Sequence, residues 1–321
     1  MTKNTTADIF NAIENANSVL VCGHIRPDGD CISAALAVRR ICEKLGKKAD
    51  AVCDCEKPLS FGFLPDYEYF CAPSQKRYDL FIAVDCATVK RLGEYAGALQ
   101  VAENSVNIDH HPTNERYCKI NHIVPDASST CAILFDMFKD RGLIDKDVAT
   151  MLYTGLSTDT GHFMHANTDE KVFGIAAELC RFGVDVGKIN HDIYCNKSLQ
   201  RIKLTARAID GIRLYKNGQV ALMVIGLDDL AKCGCTSEDT EGLIDYASGI
   251  AGVKVSVAMC EQQGGFFRVS LRSVEADVAA AAGTFGGGGH KLAAGCILYG
   301  NRYDVEEKVV AAASNAIDKL S

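Results

Sequence analysis

The sequence predicts an α/β protein with two domains: a parallel β-sheet covered by helices on both faces, then a smaller C-terminal α+β domain. Up to about residue 190, short apolar runs alternate with segments of helical periodicity, which is the pattern of parallel strands joined by helices. Beyond Gly211 the order changes, and strand-like runs mix with helices. The 321 residues are 48% hydrophobic, which is enough to bury the cores of about two domains.

In the first domain, apolar runs of four to six residues predict the strands, and longer amphipathic stretches predict the helices. The expected strands cover residues 19–22, 49–54, 80–85 and 105–109. The expected helices cover residues 31–45, 128–140, 146–157 and 169–182. In a parallel sheet of this kind, the reactive site lies beyond the carboxyl ends of the strands.

Two further helical patterns fill residues 185–210, and the second domain follows. Its expected strands cover residues 212–215, 220–225, 253–260 and 267–271. Its expected helices cover residues 241–249, 277–282 and 305–319. We therefore expect a first domain over residues 1–190, a helical linker over 191–211 and a second domain over 212–321. No internal repeat is present, which excludes solenoid architectures.

Charge and hydropathy narrow the class of protein. The net charge of −7 argues against a protein that binds long duplex nucleic acid, because neutralising phosphates requires clustered Lys and Arg. A small anionic substrate stays compatible with this charge if bound cations reverse the local field. We find neither a signal-peptide pattern nor the ~18 consecutive apolar residues of a membrane span, so we expect a cytoplasmic protein without a membrane partner.

The chain contains 15 cysteines. A secreted disulfide framework usually accompanies a short chain with an even number of cysteines, so buried reduced thiols are the better interpretation. The pairs Cys53/Cys55 and Cys233/Cys235 could attract a soft metal, but neither has a second ligand pair nearby at zinc-site spacing.

Four segments share one format, an apolar run that ends in acidic or imidazole side chains. If the first three runs are neighbouring parallel strands, their ends meet at one edge of the sheet. Five aspartates and three histidines would then converge: Asp28, Asp30, Asp85, Asp109, Asp159, His24, His110 and His111. A single aspartate after a strand is usually a helix cap or a turn residue. Their combination in one chain is hard to explain by capping alone.

That many carboxylates cannot stay ionised together without compensating charge, which divalent cations would supply. Oxygen-rich ligation with a few imidazoles suits Mn²⁺ or Mg²⁺, and the histidines favour Mn²⁺. Two such ions ~3.5–4 Å apart can activate a water and stabilise the attacking and leaving oxygens at phosphorus. The reaction class indicated is phosphoester hydrolysis.

The same segments resemble the motifs of the DHH family of phosphoesterases, in particular its members with a C-terminal DHHA-type domain. The matching segments appear in the family's order at residues 24–30, 84–87, 109–114 and 154–163. The resemblance implies that His24, Asp28 and Asp85 hold one metal. It implies that a second metal is held by the set Asp30, Asp85, His110 and Asp159.

Asp85 would bridge the two ions, so the resemblance makes it a catalytic residue. It also implies that Asp109 orients a ligand from behind the metals. His111 would contact the substrate phosphate or assist the leaving group.

The second domain carries four consecutive glycines before His290. Taken alone, they suit either a flexible hinge or a rigid loop whose exposed amides approach an anion. The family resemblance favours the loop and implies that Arg272, Gly288, Gly289 and His290 grip the nucleotide. Arg272 offers a bidentate fork for phosphate that Lys could not match.

The resemblance implies hydrolysis of very short RNA, of 3′-phosphoadenosine 5′-phosphate or of linear dinucleotides. Cleavage of cyclic dinucleotides is one alternative, and a non-catalytic nucleotide-sensing module is another. An exopolyphosphatase or pyrophosphatase would need a C-terminal domain richer in Lys and Arg. Family relatives are often dimeric, so a homodimer is compatible with the sequence.

Overall fold

The computed structural model describes residues 5–74 and 77–320. The chain divides into two compact units, with the boundary between Asn196 and Lys197. The outermost residues of the expected domains, 1–4 and 321, lie outside the described part. Among the described helices, none is long and apolar enough to cross a lipid bilayer.

The first unit contains a five-stranded parallel sheet in the order β2-β1-β3-β4-β5. Its strands are β1 (Ser18–Cys22), β2 (Lys48–Val52), β3 (Leu80–Val84), β4 (Asn104–Asp109) and β5 (Ile120–Ile123). Its helices are α1 (Thr6–Asn15), α2 (Gly29–Lys44), α3 (Ala96–Val101), α4 (Thr130–Phe138), α5 (Lys146–Asp159), α6 (Glu170–Arg181) and α7 (Val186–Asn190). A π-helical turn, His191–Cys195, follows α7.

Strand β1 shows why this sheet is buried on both sides. Val19 and Val21 lie in the larger hydrophobic core, which also contains buried residues of α1, α2, α4, α5 and α6. Leu20 and Cys22 lie in a smaller core on the opposite face, against which α3 packs. Because successive strand residues point to opposite faces, a strand apolar throughout is covered on both.

The register of the sheet brings three strand ends to one edge. Cys22 of β1 pairs with Ala83 of β3, and Val84 pairs with Ile108 of β4, all in parallel. The residues that follow β1, β3 and β4 therefore leave the sheet on the same side. The expected parallel sheet flanked by helices is confirmed.

The second unit contains a six-stranded mixed sheet in the order β10-β11-β9-β8-β7-β6. Its strands are β6 (Arg213–Tyr215), β7 (Val220–Ile225), β8 (Val255–Gln262), β9 (Phe266–Ser273), β10 (Gly288–His290) and β11 (Ala293–Tyr299). Its helices are α8 (Leu199–Asp210), α9 (Leu227–Cys233), α10 (Ile244–Ser248), α11 (Val278–Gly283) and α12 (Arg302–Asp318). One core contains α11 and α12, and the other contains α8, α9 and α10.

Sequence patterns did not predict α1, α3, β5, α9, β10 or β11. Strand β5 carries Asn121 and His122 at its centre and is only partly buried, so its apolar signal is weak. Strand β11 begins with Ala293-Ala294-Gly295, residues of low strand propensity. The helix expected at 241–249 is shorter: α10 covers only Ile244–Ser248, and Gly242 before it has a non-helical φ of 74°.

Gly155 lies inside α5 at a close approach to the first turn of α4. A Cβ atom at this position would lie 2.3 Å from Cys131 Sγ and 2.7 Å from Asp30 Oδ1. A Cβ at Gly174 in α6 would have no neighbour within 4 Å. Glycine inside a helix ordinarily costs ~0.5–1 kcal/mol relative to alanine.

The two glycines therefore predict substitutions of opposite sign. Gly174→Ala should raise the free energy of unfolding by about 0.5–1 kcal/mol, because it adds helix propensity without a clash. Gly155→Ala should lower it by about 1–3 kcal/mol, because overpacking displaces Cys131 and Asp30. Urea denaturation of the two variants measures both changes, and a stabilising Gly155→Ala would contradict the packing described for α4 and α5.

Candidate metal centre

The acidic centre of the first unit is assembled from the ends of strands and helices. His24 follows β1, Asp85 follows β3, and Asp109 is the last residue of β4. Asp30 lies in the first turn of α2, and Asp159 is the last residue of α5. The structure thus brings together side chains from five elements that are spread over residues 18–159.

Asp85 occupies the middle of this centre. Its Oδ2 lies 3.5 Å from His24 Nε2, whereas its Oδ1 lies 3.6 Å from His110 Nε2. Thr130 Oγ1 donates a hydrogen bond of 3.1 Å to the same Oδ1. Asp85 has a φ of 53°, which is uncommon outside glycine and is found where surrounding structure enforces it. One carboxylate therefore faces two different groups of candidate ligands.

Each side of Asp85 is completed by further acidic side chains. On the first side, Asp28 Oδ2 lies 3.9 Å from His24 Nε2. On the second side, Asp159 Oδ2 lies 3.5 Å from His110 Nε2, and a ligand atom of Asp30 lies within 4.8 Å of both. Atoms bound to one ion at ~2.0–2.2 Å lie ~3–4 Å apart, so this spacing fits two cation sites.

Asp30 is held in place by the N-terminus of α4. Its two carboxylate oxygens accept hydrogen bonds from the backbone amides of Thr130, at 2.6 Å, and Cys131, at 2.9 Å. The exposed amides and the dipole at a helix N-terminus stabilise an anion. Burial and the neighbouring Asp85 nevertheless raise the pKa of Asp30 to about 7.

Two of the histidines present the same nitrogen to the carboxylates. His110 Nδ1 lies 3.2 Å from the carbonyl oxygen of Ala127, and His24 Nδ1 lies 2.8 Å from that of Ile25. An Nδ1–H donated to a carbonyl leaves the lone pair of Nε2 for a cation. The backbone thus favours the tautomer that a metal ligand requires.

Asp109 lies behind the centre, fully buried, and orients the adjacent histidines. Its Oδ1 accepts hydrogen bonds from the backbone amide of His110, at 2.8 Å, and from His111 Nδ1, at 2.7 Å. Its Oδ2 accepts a hydrogen bond of 2.6 Å from Asn114 Nδ2. This arrangement fixes the orientation of the His111 ring.

Asp28 is a helix cap as well as a neighbour of His24. Its Oδ1 accepts a hydrogen bond of 3.0 Å from the backbone amide of Cys31 and caps α2, while Oδ2 faces His24. Its side chain is 52% exposed, in contrast to the buried His24. Capping and ligation are therefore compatible in one residue.

The electrostatics of the centre call for cations. Burial and the carboxylates of Asp30, Asp28 and Asp85 raise the pKa of Asp159 well above its ordinary value. Burial acts in the same direction on Asp85, but the nearby histidines hold its pKa below the ordinary range. Buried carboxylates in this arrangement repel one another, and a pair of divalent cations would neutralise them. The donor set of carboxylates and imidazoles fits such ions.

Sequence patterns missed three residues that contact the centre: Thr130, Asn114 and Arg91. Asn114 belongs to the segment 109–114, but its hydrogen bond to Asp109 could not be read from spacing. Thr130 is preceded by Ser128 and Ser129 and gives no signal of its own. Arg91 Nη2 lies 2.9 Å from His24 Nδ1, although 67 residues separate the two.

Two of the residues expected to bind substrate in the second unit, Arg272 and His290, share one row of the sheet. Ala293 of β11 pairs with Arg272 of β9 on one side and with His290 of β10 on the other. Gly288 and Gly289 form strand β10 together with His290. These two glycines therefore belong to a strand and not to a hinge or a loop. A Cβ at Gly289 would lie 2.5 Å from the carbonyl oxygen of Ala293, so the tight strand pairing requires glycine.

All 15 cysteines are free, and ten of them are buried. This agrees with the expectation of reduced thiols that behave as small apolar side chains. Cys31 is one of the buried ten, and its Sγ accepts a hydrogen bond from the backbone amide of His24 at 3.2 Å.

Comparison with known proteins assigns a family to both units. The model of the DHH family N-terminal domain matches residues 18–156, and that of the DHHA1 domain matches residues 217–320. A relative from Thermus thermophilus, the bifunctional oligoribonuclease and PAP phosphatase NrnA, is 31% identical over 300 residues, or 92% of this chain and 87% of the relative. The Bacillus subtilis protein of the same name is 26% identical over 314 residues, or 95% and 96%.

A solved structure shares the fold. The crystal structure of an exopolyphosphatase-related protein from Bacteroides fragilis superimposes with a TM-score of 0.90 at 24% identity. The match covers 97% of this chain and 95% of that one.

The crowding of carboxylates predicts an unusual effect of Asp159→Asn. The substitution removes a charge that the metal-free centre disfavours, on the order of 1 kcal/mol, so the metal-free melting temperature should rise by about 2–4 °C. Added Mn²⁺ should raise the melting temperature less than in the wild type, because a ligand is lost. Thermal unfolding in EDTA and in Mn²⁺ measures both effects.

Asp140→Asn is the matched control, since Asp140 is exposed in a 3₁₀ turn after α4. This variant should keep the wild-type response to Mn²⁺. A metal-free Asp159→Asn protein that melts below the wild type would contradict the repulsion described for the centre.

Proposed function

Because this chain belongs to the DHH family of phosphoesterases, we propose that it hydrolyses short oligoribonucleotides and 3′-phosphoadenosine 5′-phosphate with two bound divalent cations. Mn²⁺ is the favoured ion, and Mg²⁺ is the alternative. The observation that carries the proposal is the position of Asp85, whose two oxygens face separate ligand groups. The names of the relatives from Thermus thermophilus and Bacillus subtilis support the substrate class.

The ligands divide into two sets around Asp85. His24 and Asp28 would hold one ion with Asp85, and the second ion would have the set Asp30, Asp85, His110 and Asp159. When bound, the two ions supply positive charge at the phosphate and lower the pKa of a water so that it can attack phosphorus. Carboxylates anchored by α4 and by strand ends keep this geometry without reorganisation.

Of the remaining residues of the centre, one would act on the substrate and two would hold other side chains in position. His111, oriented by Asp109, is placed to contact the phosphate or to give a proton to the leaving oxygen. Thr130 holds the orientation of Asp85 through its hydroxyl group.

The second unit would supply binding energy for the nucleotide. Arg272 is half-buried, and burial lowers the pKa of its guanidinium, although Asp245 and Glu241 act in the opposite direction. A desolvated guanidinium gains from an anionic partner. Strand β10 is an edge strand, and its outward amides offer donors beside His290. Arg272, Gly288, Gly289 and His290 are therefore the proposed substrate-binding set.

Two rival functions make different demands. A nucleotide-sensing module without catalysis would tolerate the loss of metal ligands, whereas this sequence retains every expected ligand. A cyclic-dinucleotide phosphodiesterase would use the same centre and differ only in its substrate. We expect an activity of the oligoribonuclease type. A panel of substrates distinguishes it from a nucleotide-sensing module and from a cyclic-dinucleotide phosphodiesterase.

The panel consists of a labelled dinucleotide, short RNAs, phosphoadenosine phosphate and a cyclic dinucleotide, each with Mn²⁺ and with EDTA. We expect mononucleotide release from the linear substrates in Mn²⁺ and none in EDTA. Preferential turnover of the cyclic dinucleotide would favour the phosphodiesterase. Tight nucleotide binding without turnover in any divalent metal would favour the sensing module and exclude the proposed reaction.

Asp85→Asn should lower kcat on the dinucleotide by at least about 10³-fold, because both cation sites lose a charged ligand. Asparagine has the shape of aspartate and tolerates a positive φ, so the fold should be retained. A steady-state assay with a far-UV circular dichroism spectrum measures activity and folding. Near-wild-type turnover by the folded variant would show that Asp85 is not shared by two ions.

Arg272→Ala should raise KM for the dinucleotide about 10-fold or more with little change in kcat, since a charge-assisted contact to phosphate is lost. Lys291→Ala removes the same charge from an exposed side chain next to His290 and should leave KM unchanged. Equal KM values for the Arg272→Ala variant and the wild type would remove Arg272 from the substrate site.

A further inference from the structure

Arg91 contacts the metal centre from outside the ligand set. It lies in the 3₁₀ segment Val89–Tyr95, and its side chain is partly buried. Its carbonyl oxygen accepts a hydrogen bond of 2.7 Å from the backbone amide of Ile25, which fixes this segment beside β1. The side chain is not needed for that bond, since only backbone atoms make it.

The guanidinium of Arg91 competes for one nitrogen of His24. Nδ1 of His24 lies 2.9 Å from Arg91 Nη2 and 2.8 Å from the carbonyl oxygen of Ile25. A guanidinium only donates hydrogen bonds, and a carbonyl only accepts them. Nδ1 can therefore satisfy one of the two neighbours at a time.

Metal ligation determines which neighbour forms a hydrogen bond with His24 Nδ1. If Nε2 of His24 gives its lone pair to a cation, the proton of the neutral ring lies on Nδ1. Nδ1 then donates to the carbonyl of Ile25 and no longer accepts from Arg91. When the centre holds a metal, the guanidinium of Arg91 therefore has a donor that is no longer bonded to His24.

The Arg91 guanidinium also lacks an acidic partner. Over residues 5–74 and 77–320, no carboxylate oxygen lies within 4.0 Å of its nitrogens, although an acidic centre is adjacent. The arginines of α2 differ, because Arg39 and Arg40 both form ion pairs with Asp66. A partly buried guanidinium that has no carboxylate suits an anion that comes from outside the chain.

We propose that Arg91 binds a phosphate oxygen of the substrate, and that metal loading of His24 releases the guanidinium for this contact. The proposal rests on the proposed function, because it takes a phosphorylated nucleotide as the ligand. Arg91 is then a substrate-binding residue at the His24 side of the centre, distinct from Arg272 in the second unit. The planar fork of arginine matches two phosphate oxygens, which a lysine at this position could not do.

Two readouts with opposite signs test this role in Arg91→Ala. Without nucleotide, calorimetric titration should show Mn²⁺ binding as tight as in the wild type or tighter, because a positive charge and a competing donor are removed. With Mn²⁺ present, affinity for adenosine 5′-monophosphate should fall about 10-fold or more. KM for the dinucleotide should rise by a similar factor.

Lys90→Ala is the matched control, because Lys90 is exposed, carries the same charge and precedes Arg91 in the same segment. It should leave both affinities at wild-type values. Melting temperatures of the two variants show whether the segment stays folded, and Arg91→Gln, which keeps a polar side chain of moderate length, replaces Arg91→Ala if the latter melts early.

Weaker Mn²⁺ binding by the folded Arg91 variant would overturn the proposal, because it would make Arg91 a support for His24. Unchanged affinity for adenosine 5′-monophosphate would overturn it as well. Both titrations need no turnover, so they remain decisive even if the wild type hydrolyses none of the substrates. That last outcome would count against the proposed function alone.

Discussion

Repulsion between buried carboxylates is the constraint on which the first unit depends. Asp30 and Asp85 are both buried, and Asp159 has its pKa raised by burial and by the neighbouring acids. In an interior of low dielectric, such a cluster is costly unless opposite charge is bound. The histidines supply part of that charge when protonated, but as metal ligands they are neutral. Divalent cations would compensate the carboxylates and leave every candidate ligand in its observed place.

The fold holds the acids together against this repulsion. Parallel pairing of β1, β3 and β4 places three strand ends at one edge, and the first turn of α4 binds the carboxylate of Asp30 through two amides. Gly155 allows α5 to approach that turn closely enough for Asp159 to complete the group. The acidic site thus lowers the stability of the fold, which is common where function requires strain or buried charge.

Much of this architecture could be predicted from the sequence, because the parallel strands are continuous apolar runs that end in polar residues. The runs at β1, β3 and β4 were visible, and so were the acidic and imidazole residues that follow them. Strands β10 and β11 were missed because glycine and alanine give no strand signal, and their pairing depends on close backbone approach. By residue type alone, the four-glycine stretch therefore indicates a hinge or a loop.

The candidate site could be predicted as a set of acidic and imidazole residues, whereas its surrounding contacts could not. Thr130 and Arg91 reach Asp85 and His24 only through the tertiary fold, and no spacing in the sequence connects them. Asn114 lies within five residues of Asp109, yet its bond depends on a turn that residue types alone do not specify. Residues that orient ligands are set by three-dimensional proximity, so sequence patterns recover the ligands first.

A crystal of the protein grown with Mn²⁺ and measured for anomalous scattering at the manganese edge tests the central claim most directly. We expect two peaks in the first unit, ~3.5–4 Å apart, with one on each side of the Asp85 carboxylate. A single peak, or two peaks that do not share Asp85, would contradict the view that paired cations compensate this cluster.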